Sequence, residues 1–128
     1  MTVNTDLKCY CGSENMFSDC CEPYIIGAKK APTAEALMRS RYSAYAIHAA
    51  DYLWATTAPK ERKNYSKSAI MDWAKSNQWL KLEILNTTLT VVEFKAYYLD
   101  NRLKAQIHHE KSTFHNEDGN WYYVDGEY

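Results

Sequence analysis

Four cysteines stand in the pattern Cys-x-Cys-x8-Cys-Cys: Cys9, Cys11, Cys20 and Cys21. The rest of this 128-residue chain has none. Four sulfurs this close in sequence suit four thiolate ligands around one tetrahedral zinc ion. With four protein ligands no coordination position stays open, so such a zinc is structural and does no hydrolysis. Four thiolates around a divalent cation leave a net charge of about −2, so Lys8 and nearby backbone amides matter to the site. Gly12 can take the positive φ that a tight turn needs. Gly12 to Asp19 is long enough for a short helical turn from which Phe17 can cover the metal. The competing reading is disulfides. Neighbouring Cys20 and Cys21 would close a strained ring, and crossed pairing needs an oxidising compartment. Met1 to Lys8 lacks the apolar core of a secretory leader, so a cytoplasmic location with reduced thiols is expected.

A second set of chemistry-bearing residues is dispersed. His108 and His109 are neighbours on an expected strand, so they face opposite sides of the sheet. His109 shares its face with Leu103, Ala105 and Ile107 and is expected to look into a cavity. Arg41, Tyr42, Glu93, Tyr97 and His109 form the candidate pocket. The plainer alternative makes His109 a hydrogen-bonded residue inside a tyrosine-rich core. Arg41 borders the apolar stripe of its helix and is expected to pair with Asp125 or Glu93. The chain has no nucleophile elbow, no glycine-rich phosphate loop and no His-Glu-x-x-His, so no catalytic residue is assigned.

The elements that must position these residues come in two blocks. Residues 22–32 read as a linker punctuated by Pro23, Gly27 and Pro32. A helix should start at Thr33, a good N-cap, with Glu35 in its first turn. Leu37, Met38, Tyr42 and Tyr45 make its apolar stripe, and Arg39 falls off it. A short helix follows from Asp51 and ends before Pro59. Residues 59–66 read as a polar loop, and Ser66 or Ser68 caps a third helix to about Ser76. Strands follow at Trp79–Leu85, Leu89–Leu99, Arg102–His115 and Trp121–Val124, with a turn at Asp100-Asn101 and another at 116–120. Helices first and an antiparallel meander after is an α+β arrangement.

The stretch Cys-x-Cys-Gly-Ser … Cys-Cys resembles the SEC-C motif, the zinc knuckle at the C-terminus of the SecA translocation ATPase. It departs from that motif at Tyr10, where Pro is usual, and at Glu14-Asn15-Met16, where a Gly-Lys-rich loop is usual. Ala31-Pro32-Thr33-Ala34-Glu35-Ala36-Leu37-Met38-Arg39-Ser40-Arg41-Tyr42 and Asp51-Tyr52-Leu53 resemble the YchJ family of small bacterial proteins. So do His109-Glu110-Lys111-Ser112-Thr113-Phe114 and Gly119-Asn120-Trp121-Tyr122-Tyr123-Val124-Asp125-Gly126. The resemblance implies a SEC-C-like knuckle and linker over 1–32. Over 33–128 it implies a nuclear-transport-factor-two-like (cystatin-like) domain, with helices wrapped on a curved antiparallel sheet around a cavity. It also implies docking of a protein partner through the knuckle, the SecB chaperone being the example on SecA.

Fifteen basic and sixteen acidic residues give a net charge of −1, which argues against nucleic-acid binding through a basic face. No apolar run approaches the ~20 residues of a membrane span. Eleven tyrosines and four tryptophans make the core aromatic with polar edges. Three functions remain open. The leading one is a zinc-bearing module for protein interaction, in which the knuckle and the domain behind it fold as separable units. The second is an enzyme or ligand-binding protein using the cavity around His109. The third is a structural subunit whose aromatic sheet face pairs with a second copy.

Overall fold

The computed structural model describes residues 7–127. The start of the 1–32 unit, most of the leader question and Tyr128 lie outside the described residues. A 3-10 turn at Phe17–Asp19 and helix α1 (Glu22–Ile25) follow the first cysteine pair. Helices α2 (Ala34–Ala46), α3 (Ala50–Ala55) and α4 (Lys67–Ser76) precede strands β1 (Gln78–Thr87), β2 (Val91–Leu99), β3 (Ala105–Glu117) and β4 (Asn120–Glu127). The α+β reading therefore stands.

Both long helices begin where their caps say. The Thr33 hydroxyl accepts from the Ala36 amide at 3.0 Å, and the Ser66 hydroxyl accepts from the Ala69 amide at 3.1 Å. The polar segment after α3 is a 3-10 turn, Pro59–Asn64, and part of the expected linker is α1.

The sheet is an antiparallel meander in the order β1-β2-β3-β4. Register shifts lie between Trp79 and Lys81, between Ile84 and Asn86, and between Thr113 and Phe114. Such bulges bend and twist a sheet. The segment after α3 covers the edge of β4: Tyr123 donates to Thr56 O at 2.7 Å and receives Ala58 N at 2.8 Å. This satisfies backbone groups that an open edge would leave unpaired.

Knuckle and body, expected as separable units, pack against each other. One buried cluster contains Cys9, Cys11, Phe17 and Cys21 together with Leu37, Met38, Leu82, Val92, Phe94 and Phe114. The reason is size. A knuckle this short has almost no interior of its own, so its sulfurs and Phe17 are covered by α2 and the sheet. A second cluster joins Ala44, Ala50, Leu53 and Ile70, where α2, α3 and α4 meet.

Candidate metal centre and cavity

The knuckle is built by backbone bonds. Cys9 N donates to Asn15 O at 2.8 Å and Phe17 N to Leu7 O at 2.8 Å, which folds the chain back on itself. Gly12 has φ +82°, as the turn requires. Lys8 pairs with Glu14 at 3.5 Å, both exposed, rather than with the sulfurs. Arg39, the residue off the apolar stripe, ties α2 to the knuckle. It donates to Cys11 O and to Glu35, each at 2.9 Å. One turn further along, Ser43 Oγ lies 3.5 Å from Cys9 Sγ.

All four cysteines are free thiols, and their sulfurs lie within 4.8 Å of one another. Cys11 and Cys20 sulfurs are 3.7 Å apart, and Cys20 and Cys21 sulfurs 4.0 Å. A tetrahedron with its corners about 2.3 Å from a central ion has edges near these lengths. Charge points the same way. Burial, and then the negative charge of Cys11 and Cys9, push the Cys20 thiol up to about 11. Cys21 is pushed higher by sharing its proton with Cys11 and Cys9 and by burial, whereas Cys11 is lowered chiefly by those sulfur contacts. The donor set fits one metal ion.

The second site is a cavity of about 330 Å³ between the sheet and helices α2 and α4. Its aromatic wall is Tyr42, Tyr45, Trp73, Trp79 and Phe94. Trp79 sits at the centre of that wall, with ring centroids 5.4 Å from Tyr45, 6.0 Å from Trp73 and 6.2 Å from Tyr42.

The polar wall is Arg41, His108, Glu110, Ser112 and Tyr123. Glu110 is 6% exposed and lies at its centre. Its Oε1 is 2.7 Å from His108 Nε2. Its Oε2 accepts from Ser112 at 2.5 Å and from the Tyr123 hydroxyl at 3.0 Å. Burial pushes the Glu110 carboxyl up, but the bonds from His108, Ser112 and Tyr123 outweigh it and hold the group below its ordinary value. The carboxylate is therefore charged. Gly126 packs against it so closely that any Cβ there would collide with the Glu110 side chain.

Arg41 is buried as well, yet it meets no carboxylate. It donates to Leu53 O at 2.8 Å and Thr56 Oγ1 at 2.7 Å, and its guanidinium lies 4.6 Å from the centre of the Tyr123 ring. The expected pairing with Asp125 or Glu93 is thus replaced by carbonyl and hydroxyl acceptors near the end of α3, where the helix dipole favours a cation.

Of the candidate pocket residues, Arg41 and Tyr42 line the cavity. Glu93, Tyr97 and His109 do not. They lie on the outer face of the sheet, where His109 Nε2 meets Glu93 at 2.8 Å and Tyr97 donates to Glu83 at 2.7 Å. The outer face carries such polar pairs, along with Lys81 over the Tyr97 ring, rather than a continuous aromatic surface.

The error is one of parity. A two-residue turn at Asp100-Asn101 puts odd-numbered residues of β3 against the buried residues of β2. The real turn spans 100–104. Asp100 N bonds Lys104 O at 2.9 Å, the Asp100 carboxylate accepts from the Arg102 and Lys104 amides, and Leu103 takes φ +61°. Leu99 then pairs with Ala105, Ala96 with His108 and Phe94 with Glu110. A slip of one residue flips every side chain to the other face. The inward set His108, Glu110, Ser112 and Phe114 was readable from the alternation Val92, Phe94, Ala96 on β2, given the correct turn length. The Asp100 side chain, able to cap a longer turn, was the available signal.

The chemistry of the polar wall follows from its order. A nucleophilic serine needs an imidazole between it and a carboxylate. Here Glu110 stands between Ser112 and His108, so Ser112 is not activated. Glu110, charged and held by three donors, orients its neighbours. His108 is the member with the most exposure, 31% of its side chain against 7% for Glu110.

A closed four-cysteine knuckle on an α+β body with an interior cavity defines a class: SEC-C motif proteins with a nuclear-transport-factor-two-like domain. The family model described as "YchJ, middle NTF2-like domain" matches residues 33–126. A UPF0225 protein of Geobacter sulfurreducens is 42% identical over 125 residues, covering 92% of this chain and 77% of its own length. One from Photorhabdus laumondii is 43% identical over 130 residues, covering 92% and 79%. The solution structure of a SEC-C motif containing protein from Rhodopseudomonas palustris superposes with TM-score 0.87 at 36% identity, covering 94% of this chain and 98% of that one. A crystal structure of another from Psychrobacter arcticus gives 0.82 at 33%, covering 97% and 84%. The chain belongs to the YchJ (UPF0225) family. Among the described residues no helix is long and apolar enough to cross a membrane.

Proposed function

We propose that this chain is a small-molecule-binding protein whose cavity is the working site and whose cysteines hold one structural zinc ion. The observation that carries the reading is the 330 Å³ cavity itself, with an aromatic wall facing a buried polar cluster. Its size falls in the range of small-ligand sites, and few but convergent polar groups are what such sites use for orientation. Zinc is supported by the all-thiolate donor set and by the likeness to SEC-C motif proteins. When bound, the zinc supplies charge compensation and cross-linking, not chemistry. The residues Arg39 and Ser43 connect that knuckle to the helix bearing Arg41 and Tyr42.

The test uses the zinc-loaded protein and naphthalene, a flat probe without a polar group. Titration should shift the indole N–H resonances of Trp73 and Trp79, and Trp79→Ala should abolish binding. No shift at saturating naphthalene would end the cavity reading. Native mass spectrometry should find one zinc per chain.

Protein docking through the knuckle is a second reading. It is favoured by the exposure of Leu7, Tyr10 and Ile26, the last at 69%. Purified SecB should then bind the intact chain and not a Tyr10→Glu, Ile26→Glu variant. Pairing of two copies through the sheet has less support, because polar pairs such as His109–Glu93 and Tyr97–Glu83 interrupt the outer face.

A further inference from the structure

We infer that the ligand of the cavity is a monocarboxylate on an apolar body, and that the free edge of the Arg41 guanidinium holds its carboxylate. The inference rests on the cavity reading above and adds the ligand's chemical class.

The buried cation is the starting point. Arg41 is 6% exposed and lines the cavity. Its Nη1 donates both of its N–H groups, to Leu53 O and to Thr56 Oγ1. Among the described residues, Nε and Nη2 have no hydrogen-bond partner and no carboxylate pairs with the guanidinium. Yet no buried side-chain nitrogen there lacks a partner, so these two nitrogens are not sealed within protein. They border open space, and the space that Arg41 lines is the cavity. The Nε–Nη2 edge carries two parallel N–H groups that match the two oxygens of one carboxylate. Glu110 does not fill that place. Its oxygens are taken by His108, Ser112 and Tyr123, and it is the ring of Tyr123 that lies against Arg41. A buried cation with only neutral acceptors gains both charge-assisted hydrogen bonds and a counter-charge from a ligand anion.

Two hydroxyls add to the site. Those of Tyr42 and Tyr45 have no hydrogen-bond partner among the described residues, although Tyr42 is only 2% exposed. Both residues line the cavity, and a phenol can donate to a carboxylate. The remaining wall, with Ile70, Trp73, Trp79 and Phe94, is apolar and suits the ligand's body. Tyr65 and Trp73, 40% and 42% exposed, mark the mouth. Lys63 lines the recess outside it and makes no ion pair among the described residues. The entrance therefore favours an anion over a cation. One cation with one free edge matches a single carboxylate better than a dianionic phosphate ester.

The experiment titrates the zinc-loaded full chain near neutral pH with 2-naphthoate, 2-naphthamide, 2-naphthyl phosphate and naphthalene. Naphthoate should bind at least about tenfold tighter than the amide and the phosphate. The Arg41 Nε–H resonance should shift with naphthoate and stay in place with naphthalene. In a folded Arg41→Gln protein the naphthoate-to-amide ratio should fall to about one. An amide or phosphate that binds as tightly as naphthoate overturns the inference while the cavity reading stands. So does naphthoate that binds without moving the Arg41 Nε–H resonance, or an Arg41→Gln protein that keeps the ratio. The ranking and the resonance are read on the unaltered protein and need no variant to fold. If naphthalene itself fails to bind, the cavity reading has failed and this inference falls with it.

Discussion

The cysteine knuckle and the Glu110 cluster both bury strongly polar atoms: Cys11 and Cys21 are 0% and 1% exposed, Ser112 and Glu110 0% and 6%. They solve that problem differently. Glu110 finds all of its partners within the chain, and among the described residues no buried side-chain nitrogen or oxygen lacks a hydrogen bond. The knuckle sulfurs find one another and the hydroxyls of Ser13 and Ser43, with no cationic side chain among these contacts. One cluster is satisfied by its own chain; the other offers the donor set for a cation. The two therefore break in different ways.

The largest expected effect is metal removal. The cysteines belong to the cluster that includes Leu37, Phe94 and Phe114, so chelation should lower the stability of the whole chain. Structural zinc contributes on the order of 10 kcal/mol in isolated fingers, and several kcal/mol are expected here. A circular-dichroism melt with and without chelator checks this. A body transition that does not move with chelator would restore the picture of separable units.

Next comes Glu110→Ala. It strands His108, Ser112 and Tyr123 without their common acceptor and leaves Arg41 as the uncompensated buried charge. About 3 kcal/mol of destabilisation is expected by urea titration. The change leaves the knuckle intact, so zinc stoichiometry should remain one.

The third effect is pH dependence. The folded Glu110 carboxyl lies below its ordinary value of 4.5, so it is the folded state that holds the proton more weakly. Above the unfolded value both states are charged and the full stabilisation is present. It is lost as pH falls through the folded value. Stability measured between pH 6 and pH 3 should decline, and less so in Glu110→Gln.

The smallest effect is the sharpest check on the sheet register. His109 and Glu93 form an exposed pair on the outer face. His109→Ala should change stability by no more than about 0.5 kcal/mol and leave naphthalene binding unaltered. A loss comparable to that of Glu110→Ala would mean that the register is wrong.

The sequence alone determined what is local. Cysteine spacing pointed to the four-sulfur cluster because its members lie close along the chain. Thr33 and Ser66 marked helix starts because a cap is satisfied within one turn. Helices before strands set the α+β class, and the motifs around Arg41 and Trp121 pointed to the family. Only the tertiary structure decided which face of β3 looks inward. That depended on the length of one turn, and hence on whether Phe94 meets an odd or an even residue across the ladder. It also decided that the knuckle lies in the same core as the body and that Arg41 ends on Leu53 O rather than on a carboxylate. The last two outcomes rest on contacts between residues far apart in the chain, and no spacing pattern encodes them.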